Sequence, residues 1–434
     1  MSLYVGDMVD FSLSQEEQDI QQTARAFAQA EIGPAAAAIR SREPGVSPWE
    51  IMRPVFKHAH DLSMTSILIP EEYGGLGGSC FDNVLVMEEF GAVDQAVAAS
   101  YFNVTTTSPI LLMLGANEEQ KRKWLTAIAT EDDHILASAS SEPDVAGADT
   151  FYPGGDPAIG LKTSARLDGD SYVLNGAKSA FSTNAGAAKT YFVMARTDRN
   201  KPVMESVSMF LVPADTPGVH FGHKTELFGW KSAMHGDVYF EDARIPVENR
   251  IGAEGANNMF FFQALPYLSS GLAATYVGMA RAAFDLAWDY ANERKSWGQP
   301  IINHQAVALK LADMMTDLEA ARLMVWQVAW AADRGDPRVP GILAPAAKTF
   351  AVEVAIRNAE RAMRILGAYG VTEEYPAARM LADAWVGDSC DGTRDMLRLS
   401  MVDFTRMMRN GSVGGPLGPP PGGPGGPPPG GSAR

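Results

Sequence analysis

The chain has 434 residues, a formal net charge of −16 at pH 7 and an apolar fraction of 46%. This length suffices for two or three domains with their own cores, and the negative charge argues against nucleic acid or an anionic membrane as partner. The two cysteines, Cys80 and Cys390, lie far apart in sequence, so neither a disulfide framework nor a metal-ligand cluster is expected. The N-terminal stretch has no secretory or transit signature, and no apolar run looks long enough for a bilayer. We therefore expect a cytoplasmic protein.

Residues 1–135 read as an N-terminal helical domain. Ser14 and Glu17 have the spacing of a capping box, in which each side chain bonds the other residue's backbone N–H at a helix start. Apolar residues then recur at helical spacing, and Gly33-Pro34 predicts the end of this first helix.

Residues 136–250 change to a β pattern. The segments KTYFVMARTD, SMFLVPAD and HGDVYFEDARIP are short, rich in β-branched and aromatic residues, and bounded by turn residues. In DSYVLNGAKSAF, an alternating run precedes Asn175-Gly176, a pair typical of a hairpin turn. The pattern favours a small barrel or sandwich, and we expect a β-barrel domain.

Residues 251–410 return to the helical period with long helices and short connections, which predicts a four-helix bundle. One stripe stays apolar for five turns, namely Val307, Leu311, Met314, Leu318, Ala321 and Val325. The remaining residues, 411–434, are so rich in proline and glycine that they cannot bury a core, so we expect a disordered tail.

Six strings stand out, three in the β part and three in the helical part that follows. In chain order they are SEPDVAGAD, NGAKSAFSTNAG, YFEDARIPVENRIG, ERKSWGQPIINHQAVALKLADM, RILGAYGVTEEYP and CDGT. Together they resemble the acyl-CoA dehydrogenase family, and the resemblance runs from Phe11 to Arg409. It implies a homotetramer of helical, β-barrel and helical-bundle domains with FAD as cofactor. It also implies dehydrogenation of an acyl-CoA between Cα and Cβ, with electrons passed to an electron-transfer flavoprotein.

The resemblance makes Asp391 the catalytic base that removes the α-proton of the thioester, with Gly392 beside it at the substrate. Hydrogen bonds to the thioester carbonyl, one from the backbone N–H of the base, would stabilise the developing enolate. The family commonly has glutamate there, and aspartate is shorter by about 1.5 Å. Some members that oxidise alicyclic acyl-CoAs are similar in using aspartate. At the family's second location for a base, this chain has Leu268 and Ser269 and no carboxylate.

The resemblance also implies a set of residues that contact FAD. In the family, the arginine at Arg294 reaches a neighbouring subunit's pyrophosphate, and a guanidinium suits a diphosphate. Arg364 and Ala368 stand where glutamine and glycine are common. The full set is Ser141, Phe181, Thr183, Arg294, Ser296, Trp297, Arg364, Ala368, Thr393 and Asp395.

Two departures from the family pattern concern the substrate side. SEPDVAGAD has one residue more than the usual Gly-Ser-Asp form, and Ala148 replaces its serine. TFYPGGDPAIG, residues 150–160, is an insertion rich in proline and glycine beside the place where CoA would enter. We therefore group Ala148 with the substrate-binding residues.

Simpler interpretations stay open at this level. Asp391 could be the N-cap of the helix that DGTRDM opens, Arg294 and Arg364 could be solvated helix charges, and Phe181 could belong to the sheet core. The chain could also be a flavin-binding homologue with oxygenase or desulfinase chemistry, or a non-catalytic partner subunit.

Overall fold

The computed structural model describes residues 12–43, 45–151 and 154–410. The Pro/Gly-rich tail 411–434, with its predicted disorder, lies outside the described residues. Within them the expected order of helical, sheet and helical regions is confirmed. One large apolar core runs through the helical regions, and a second, smaller core lies within the sheet.

The N-terminal region is helical. The capping box is confirmed, because the Glu17 N–H donates to Ser14 Oγ at 3.2 Å and the Ser14 N–H donates to Glu17 Oε2 at 2.6 Å. The helices are α1 Gln15–Phe27, α2 Gly33–Arg40, α3 Pro48–Asp61, α4 Cys80–Val93, α5 Gln95–Phe102, α6 Ser108–Gly115 and α7 Glu118–Thr130.

The predicted helix end at Gly33-Pro34 is wrong. The chain passes from α1 through one wide π turn, Ala28–Ile32, directly into α2, and the Gly33 N–H bonds the carbonyl of Ala28. Pro34 thereby lies in the first turn of α2, directly after the π turn, and its missing N–H does not end the helix.

The middle region is an eight-stranded sheet with the order β6-β7-β3-β2-β4-β5-β8, and β1 pairs in parallel with β4. A short helix, α8 Val203–Ser206, precedes β5. The strands are β1 Leu136–Ala139, β2 Ser164–Asp168, β3 Ser171–Thr183, β4 Thr190–Arg196, β5 Val207–Pro213, β6 Val219–Lys224, β7 His235–Pro246 and β8 Arg250–Ile251.

The Asn175-Gly176 hairpin turn is also wrong, because both residues lie inside β3. The register against β7 shifts between Leu174 and Gly176, which marks a β-bulge. Gly176 has φ +145°, and a Cβ there would lie 2.7 Å from the Cα of Thr163. The glycine therefore serves a bulge and a close backbone approach.

The C-terminal region forms the bundle. The predicted stripe along its second helix is confirmed, with Leu311, Met314, Leu318, Ala321 and Val325 buried and Val307 partly buried. The helices are α9 Asn257–Glu293, α10 Gln305–Ala332, α11 Ala344–Leu366, α12 Ala377–Val386 and α13 Arg394–Arg409, and a hairpin of β9 Lys295–Ser296 and β10 Gln299–Pro300 joins α9 to α10.

The expectation that no stretch reaches bilayer length needs correction. Gln95–Gly115 and Val339–Val371 are both long and apolar enough by length and composition. Inside the fold, however, 83% and 67% of their apolar windows are buried. Their apolar character is accounted for by packing in the protein core.

Candidate active site

Asp391 lies on the turn between α12 and α13, residues 387–393, which we call the Asp391 turn. Its φ is +47° and that of Gly392 is +88°, so two consecutive residues are left-handed. Aspartate tolerates this region better than most residues, and glycine adopts it freely. Two backbone bonds close the turn, from the Cys390 N–H to Val386 O and from the Arg394 N–H to Asp388 O, both 3.2 Å.

The alternative that Asp391 caps α13 is wrong. The N-cap is Thr393, whose Oγ1 accepts from the Met396 N–H at 3.4 Å. Within the described part of the chain, the Asp391 carboxylate has no hydrogen bond or ion pair, and its backbone N–H has no acceptor. An acceptor and a donor on the same residue are thus both available to a ligand.

The surroundings of Asp391 make its carboxyl a stronger base. Burial among protein atoms raises the pKa of Asp391, and the nearby charge of Lys348 opposes this in part. Asp391 is nevertheless exposed to solvent in the single chain. Asp391 is therefore surrounded by protein atoms on one side and remains accessible to a ligand.

Lys348 on α11 is the structural neighbour that sequence reasoning missed. Its side chain is 1% exposed, and Nζ donates to the carbonyls of Gly387, Cys390 and Gly392 at 2.8–2.9 Å. A lysine within the apolar face of a helix was the available signal. It gave no indication of the partner, which lies about forty residues further along the chain.

The residues expected to face the flavin ring lie close together on the sheet. The Ser179 N–H donates to the carbonyl of Ser141 at 2.9 Å, which places the segment after β1 against β3. Phe181, on β3, is 63% exposed, so its interpretation as sheet core is wrong. Thr183, also on β3, has Oγ1 at 3.1 Å from Nε2 of His235.

Beside these residues lies a fully buried ion pair that sequence reasoning also missed. Nζ of Lys178 donates to Glu142 Oε1 at 2.9 Å and to the carbonyl of Ser140 at 3.1 Å. Glu142 also accepts from the N–H groups of Lys162 and Thr163 at 2.6 and 3.0 Å. The pair thereby fixes the backbone on both sides of Ser141.

The pKa values of this pair follow from burial and mutual attraction. Burial lowers the pKa of Lys178, and the Glu142 charge opposes it. Burial alone would raise the pKa of Glu142, but Lys178 and the hydrogen bonds from Thr163 and Lys162 lower it overall. The family's usual serine position, Ala148, lies in the short turn Gly147–Phe151, and its side chain lies outside the described part.

A line of contacts joins the sheet to the helix that precedes Asp391. The ring of His235 packs on that of Trp230, with centroids 5.7 Å apart. Trp230 in turn donates its backbone N–H to Asp383 Oδ1 at 2.6 Å, and Asp383 lies on α12. Because His235 also contacts Thr183, the expected flavin face and the Asp391 turn belong to one connected structure.

The expected pyrophosphate residues lie at one end of the bundle. Trp297 and Gly298 have φ values of +50° and +78° and form the two-residue turn of the β9–β10 hairpin. Trp297 is 93% exposed, and Arg294 and Ser296 are exposed beside it. In the described part of the chain Arg294 makes no ion pair, so its charge is free for a ligand or another subunit.

Arg364 lies in the last turn of α11, and Ala368 lies in the short helical turn Gly367–Val371 that follows it. A row of aromatic contacts runs from Tyr290 at the end of α9 to Tyr375 and on to Tyr369, each step 5.7 Å between centroids. Arg364 is exposed and pairs with Glu360 at 2.5 Å, so its charge is partly used. On α13, Asp395 is exposed and lies 3.7 Å from Arg398.

The residues present fit a flavin dinucleotide. Phe181 offers an exposed aromatic face, and Arg294 offers an unpaired guanidinium. Sheet and bundle thus supply different parts of one extended site.

Fold and site together define a three-part protein in which a helical bundle holds an unpaired carboxylate and a sheet presents aromatic and hydroxyl groups. The N-terminal, middle and C-terminal domain patterns of acyl-CoA dehydrogenases match residues 14–132, 137–243 and 263–404. The chain is 34% identical over 391 residues to the probable acyl-CoA dehydrogenase YngJ of Bacillus subtilis, covering 90% of this chain and 98% of that one. The chain belongs to the acyl-CoA dehydrogenase family, whose members are flavin-dependent oxidoreductases.

Solved structures agree with this assignment. A chain in the structure of the electron transferring flavoprotein of Acidaminococcus fermentans is 32% identical, with a TM-score of 0.83, and the match covers 92% of this chain and 99% of that one. The acyl-CoA dehydrogenase of Bacillus anthracis complexed with FAD is 28% identical, with a TM-score of 0.83, and the match covers 93% of this chain and 69% of that one.

Proposed function

We propose that the protein is an FAD-dependent acyl-CoA dehydrogenase that oxidises the Cα–Cβ bond of an acyl-CoA thioester, with Asp391 as the base. The observation behind this proposal is the Asp391 turn, where a carboxylate of raised pKa and a backbone N–H are both unpartnered in the described part of the chain. Family membership supports FAD as the cofactor, and the FAD complex of the Bacillus anthracis relative agrees with it.

Asp391 and its own backbone N–H have complementary roles in the proposed reaction. The carboxylate takes the proton from Cα, and the N–H donates to the thioester carbonyl, where negative charge develops. When bound, FAD would supply the acceptor for the hydride from Cβ, so that loss of this hydride and of the Cα proton would leave a Cα–Cβ double bond. The protein mainly holds the thioester so that both C–H bonds face their acceptors.

The remaining candidate residues bind and orient the cofactor in this proposal. Ser141 and Thr183 would offer hydroxyls to the cofactor, and Phe181 would offer an aromatic surface to it. The residues at the hairpin end would bind the pyrophosphate of a neighbouring subunit, and Thr393 and Asp395 would contact the nucleotide. Because Trp297 is 93% exposed and Arg294 makes no ion pair within the described part of the chain, we include a homotetramer in the proposal.

We further propose a bulky, branched or alicyclic acyl group as substrate. Aspartate reaches about 1.5 Å less far than glutamate, so the Cα of the substrate must approach the turn more closely or sit differently. Gly392 has no side chain to obstruct that approach, and Ala148 is smaller than the usual serine. We propose an electron-transfer flavoprotein as electron acceptor, in line with the Acidaminococcus relative.

Anaerobic bleaching of the bound flavin tests the proposal. Linear, branched and alicyclic acyl-CoAs are added to the purified yellow protein, and loss of flavin absorbance reports hydride transfer. We expect bleaching with the bulky substrates, and Asp391→Asn should keep the yellow colour but lower the rate by at least about a hundredfold. Asp388→Asn is the matched control, because this carboxylate lies on the same turn but pairs with Arg394 at 3.1 Å.

Two results would contradict the proposal. If Asp391→Asn bleaches at the wild-type rate, Asp391 is not the base. If no acyl-CoA bleaches the wild type, the dehydrogenase proposal fails, and oxygen consumption with the same compounds then tests for oxidase-type chemistry.

A further inference from the structure

The side chain of Lys348 is unusual because it is buried without a carboxylate partner. It lies within the core of α11, and among the described residues it forms no ion pair. Its three N–H donors are instead matched one to one with three carbonyls, those of Gly387 at 2.9 Å, Cys390 at 2.8 Å and Gly392 at 2.9 Å. A buried ammonium is costly unless each donor is satisfied, and here each one is.

All three carbonyls belong to the Asp391 turn, and two of them flank Asp391 directly. The turn departs from helical geometry at Asp391 and Gly392, so these carbonyls have lost the partners that a helix would provide. A single cationic group therefore replaces the missing donors and fixes the turn at three points. The left-handed conformation of Asp391 is held from α11, which is a rigid element of the bundle.

The bond to Cys390 has a specific consequence for the N–H of Asp391. The Cys390 carbonyl and the Asp391 N–H belong to one planar trans peptide, in which C=O and N–H point in opposite directions. Because Lys348 binds the carbonyl, the N–H is directed away from α11. A cation on the carbonyl also polarises the peptide and makes its N–H a stronger donor.

Among the residues packed around the turn, Lys348 supplies the charge that acts on the pKa of Asp391. Tyr276 of α9 lies beneath the turn, with its hydroxyl 3.9 Å from Cys390 Sγ, and a Cβ at Gly387 would lie 2.4 Å from that hydroxyl. On the α13 side, Arg394 is occupied by Glu353 and Asp388. Burial raises the pKa of Cys390 to about 12, so this thiol stays neutral beside Asp391.

We propose that Lys348 is a positioning residue of the reaction, which orients the Asp391 N–H toward the thioester carbonyl and holds the carboxylate at the α-carbon. This proposal rests on the proposed role of Asp391. Lys348 itself touches neither substrate nor cofactor in it. Its effect passes through the peptide that links Cys390 to Asp391.

The test compares Lys348→Met with Asn358→Leu in the FAD-loaded protein. Asn358 is a matched control on the same helix, because it is fully buried and its side chain donates to Ala280 O and Met314 O at 3.4 and 3.1 Å. Ten residues along a helix place it about 15 Å from Lys348. Both variants lose buried hydrogen bonds, but only Lys348→Met changes the Asp391 turn.

Three readouts separate positioning from general destabilisation. Amide hydrogen exchange of the peptide spanning the turn should speed up at least tenfold in Lys348→Met and stay unchanged in Asn358→Leu. Exchange of the acyl-CoA α-hydrogen in D2O should slow by about a hundredfold in Lys348→Met. In turnover assays of the same variant, kcat should fall while KM stays nearly constant. The pH midpoint of that exchange should move upward, because the Lys348 charge lowers the pKa of Asp391.

Lys348→Arg and Lys348→Gln keep the test decisive if the methionine variant does not fold. Arginine retains the charge and several donors and should recover part of the rate, whereas neutral glutamine should recover less. Unchanged exchange of the turn in these variants would overturn the inference whatever the chemistry. A loosened turn in a protein whose wild type never exchanges the α-hydrogen would instead overturn the proposed function alone.

Discussion

Trp230 donates its backbone N–H to Oδ1 of Asp383 at 2.6 Å and its indole N–H to the Asp383 carbonyl at 3.1 Å. This pair joins the sheet to α12, the helix that leads into the Asp391 turn. The packing leaves no spare room, since a Cβ at Gly229 would lie 2.4 Å from the carbonyl of Ala382. The position of the turn against the sheet therefore depends on Asp383.

We expect Asp383 to make the stability of the protein depend on pH. Burial raises its pKa to about 7, with a further rise from the charge of Asp94, and Arg379 opposes both. An unfolded aspartate titrates near 3.9, so the folded state binds the proton more tightly. The stabilisation from protonated Asp383 is complete below about pH 4 and is lost as the pH rises to about 7.

Asp383→Asn should remove this dependence, because its amide oxygen can still accept from Trp230. Between pH 4 and 7, the free energy of unfolding of Asp383→Asn should increase relative to that of the wild type by about 1 kcal/mol per pH unit. Urea unfolding followed by circular dichroism measures this difference. Asp403→Asn, an exposed carboxylate of α13, is the control. Parallel stability curves for the wild type and Asp383→Asn would show that Asp383 does not titrate in this range.

The rate of flavin reduction should rise with pH. A base acts when deprotonated, and burial raises the pKa of Asp391 above the usual range of an aspartate. The rate should therefore be low at acidic pH, increase through the pKa of Asp391 and level off above it. Stopped-flow reduction at saturating acyl-CoA measures the profile, and a flat profile in the wild type with intact FAD would argue against Asp391 as base.

The buried pair Lys178–Glu142 should show strong coupling. Removing one partner leaves the other charge buried, which typically costs about 3–5 kcal/mol. We expect Glu142→Gln to be destabilised to this extent and to retain less FAD, because the backbone around Ser141 is released. The double variant Glu142→Gln/Lys178→Met should recover much of the loss. A double-mutant cycle from urea unfolding measures the coupling, and additive losses would mean that the two charges act independently.

Local sequence signals predicted the local structure well. The capping box at Ser14 and Glu17 forms because its partners are three residues apart, and the apolar stripe of α10 follows from helical periodicity alone. The two wrong turn predictions, at Gly33 and Asn175, share a cause. In both places a wide turn or a bulge, stabilised by neighbouring structure, lets the element continue.

In the candidate site, too, features with nearby sequence signals could be predicted, whereas contacts between distant residues could not. Asp391 could be found from its string, because the family pattern surrounds it in sequence. The groups that hold the site in place, Lys348 and the pair Lys178–Glu142, bond to partners that lie 36 to 44 residues away. A buried cation in an apolar face signals that such partners exist, but only the fold identifies them.

Arg294 and Arg364 should differ in their contribution to FAD binding. Arg294 is unpaired within the described part of its chain, whereas Arg364 already pairs with Glu360 at 2.5 Å. A charge-assisted hydrogen bond is worth about 1.5–3 kcal/mol, so Arg294→Gln should weaken FAD binding about tenfold or more. Arg364→Gln should weaken FAD binding less. Arg364 must give up its ion pair with Glu360 to bind the cofactor, and this loss offsets part of the free energy gained from the new contact.

Titration of the apoprotein with FAD, followed by flavin fluorescence, measures both affinities. Lys295→Gln is the matched control, since Lys295 is exposed on the same hairpin and successive strand residues point to opposite sides. The loss in Arg294→Gln should depend on protein concentration, because the proposed contact comes from a neighbouring subunit. If Arg294→Gln binds FAD as tightly as the wild type at every concentration, its guanidinium does not contact the cofactor.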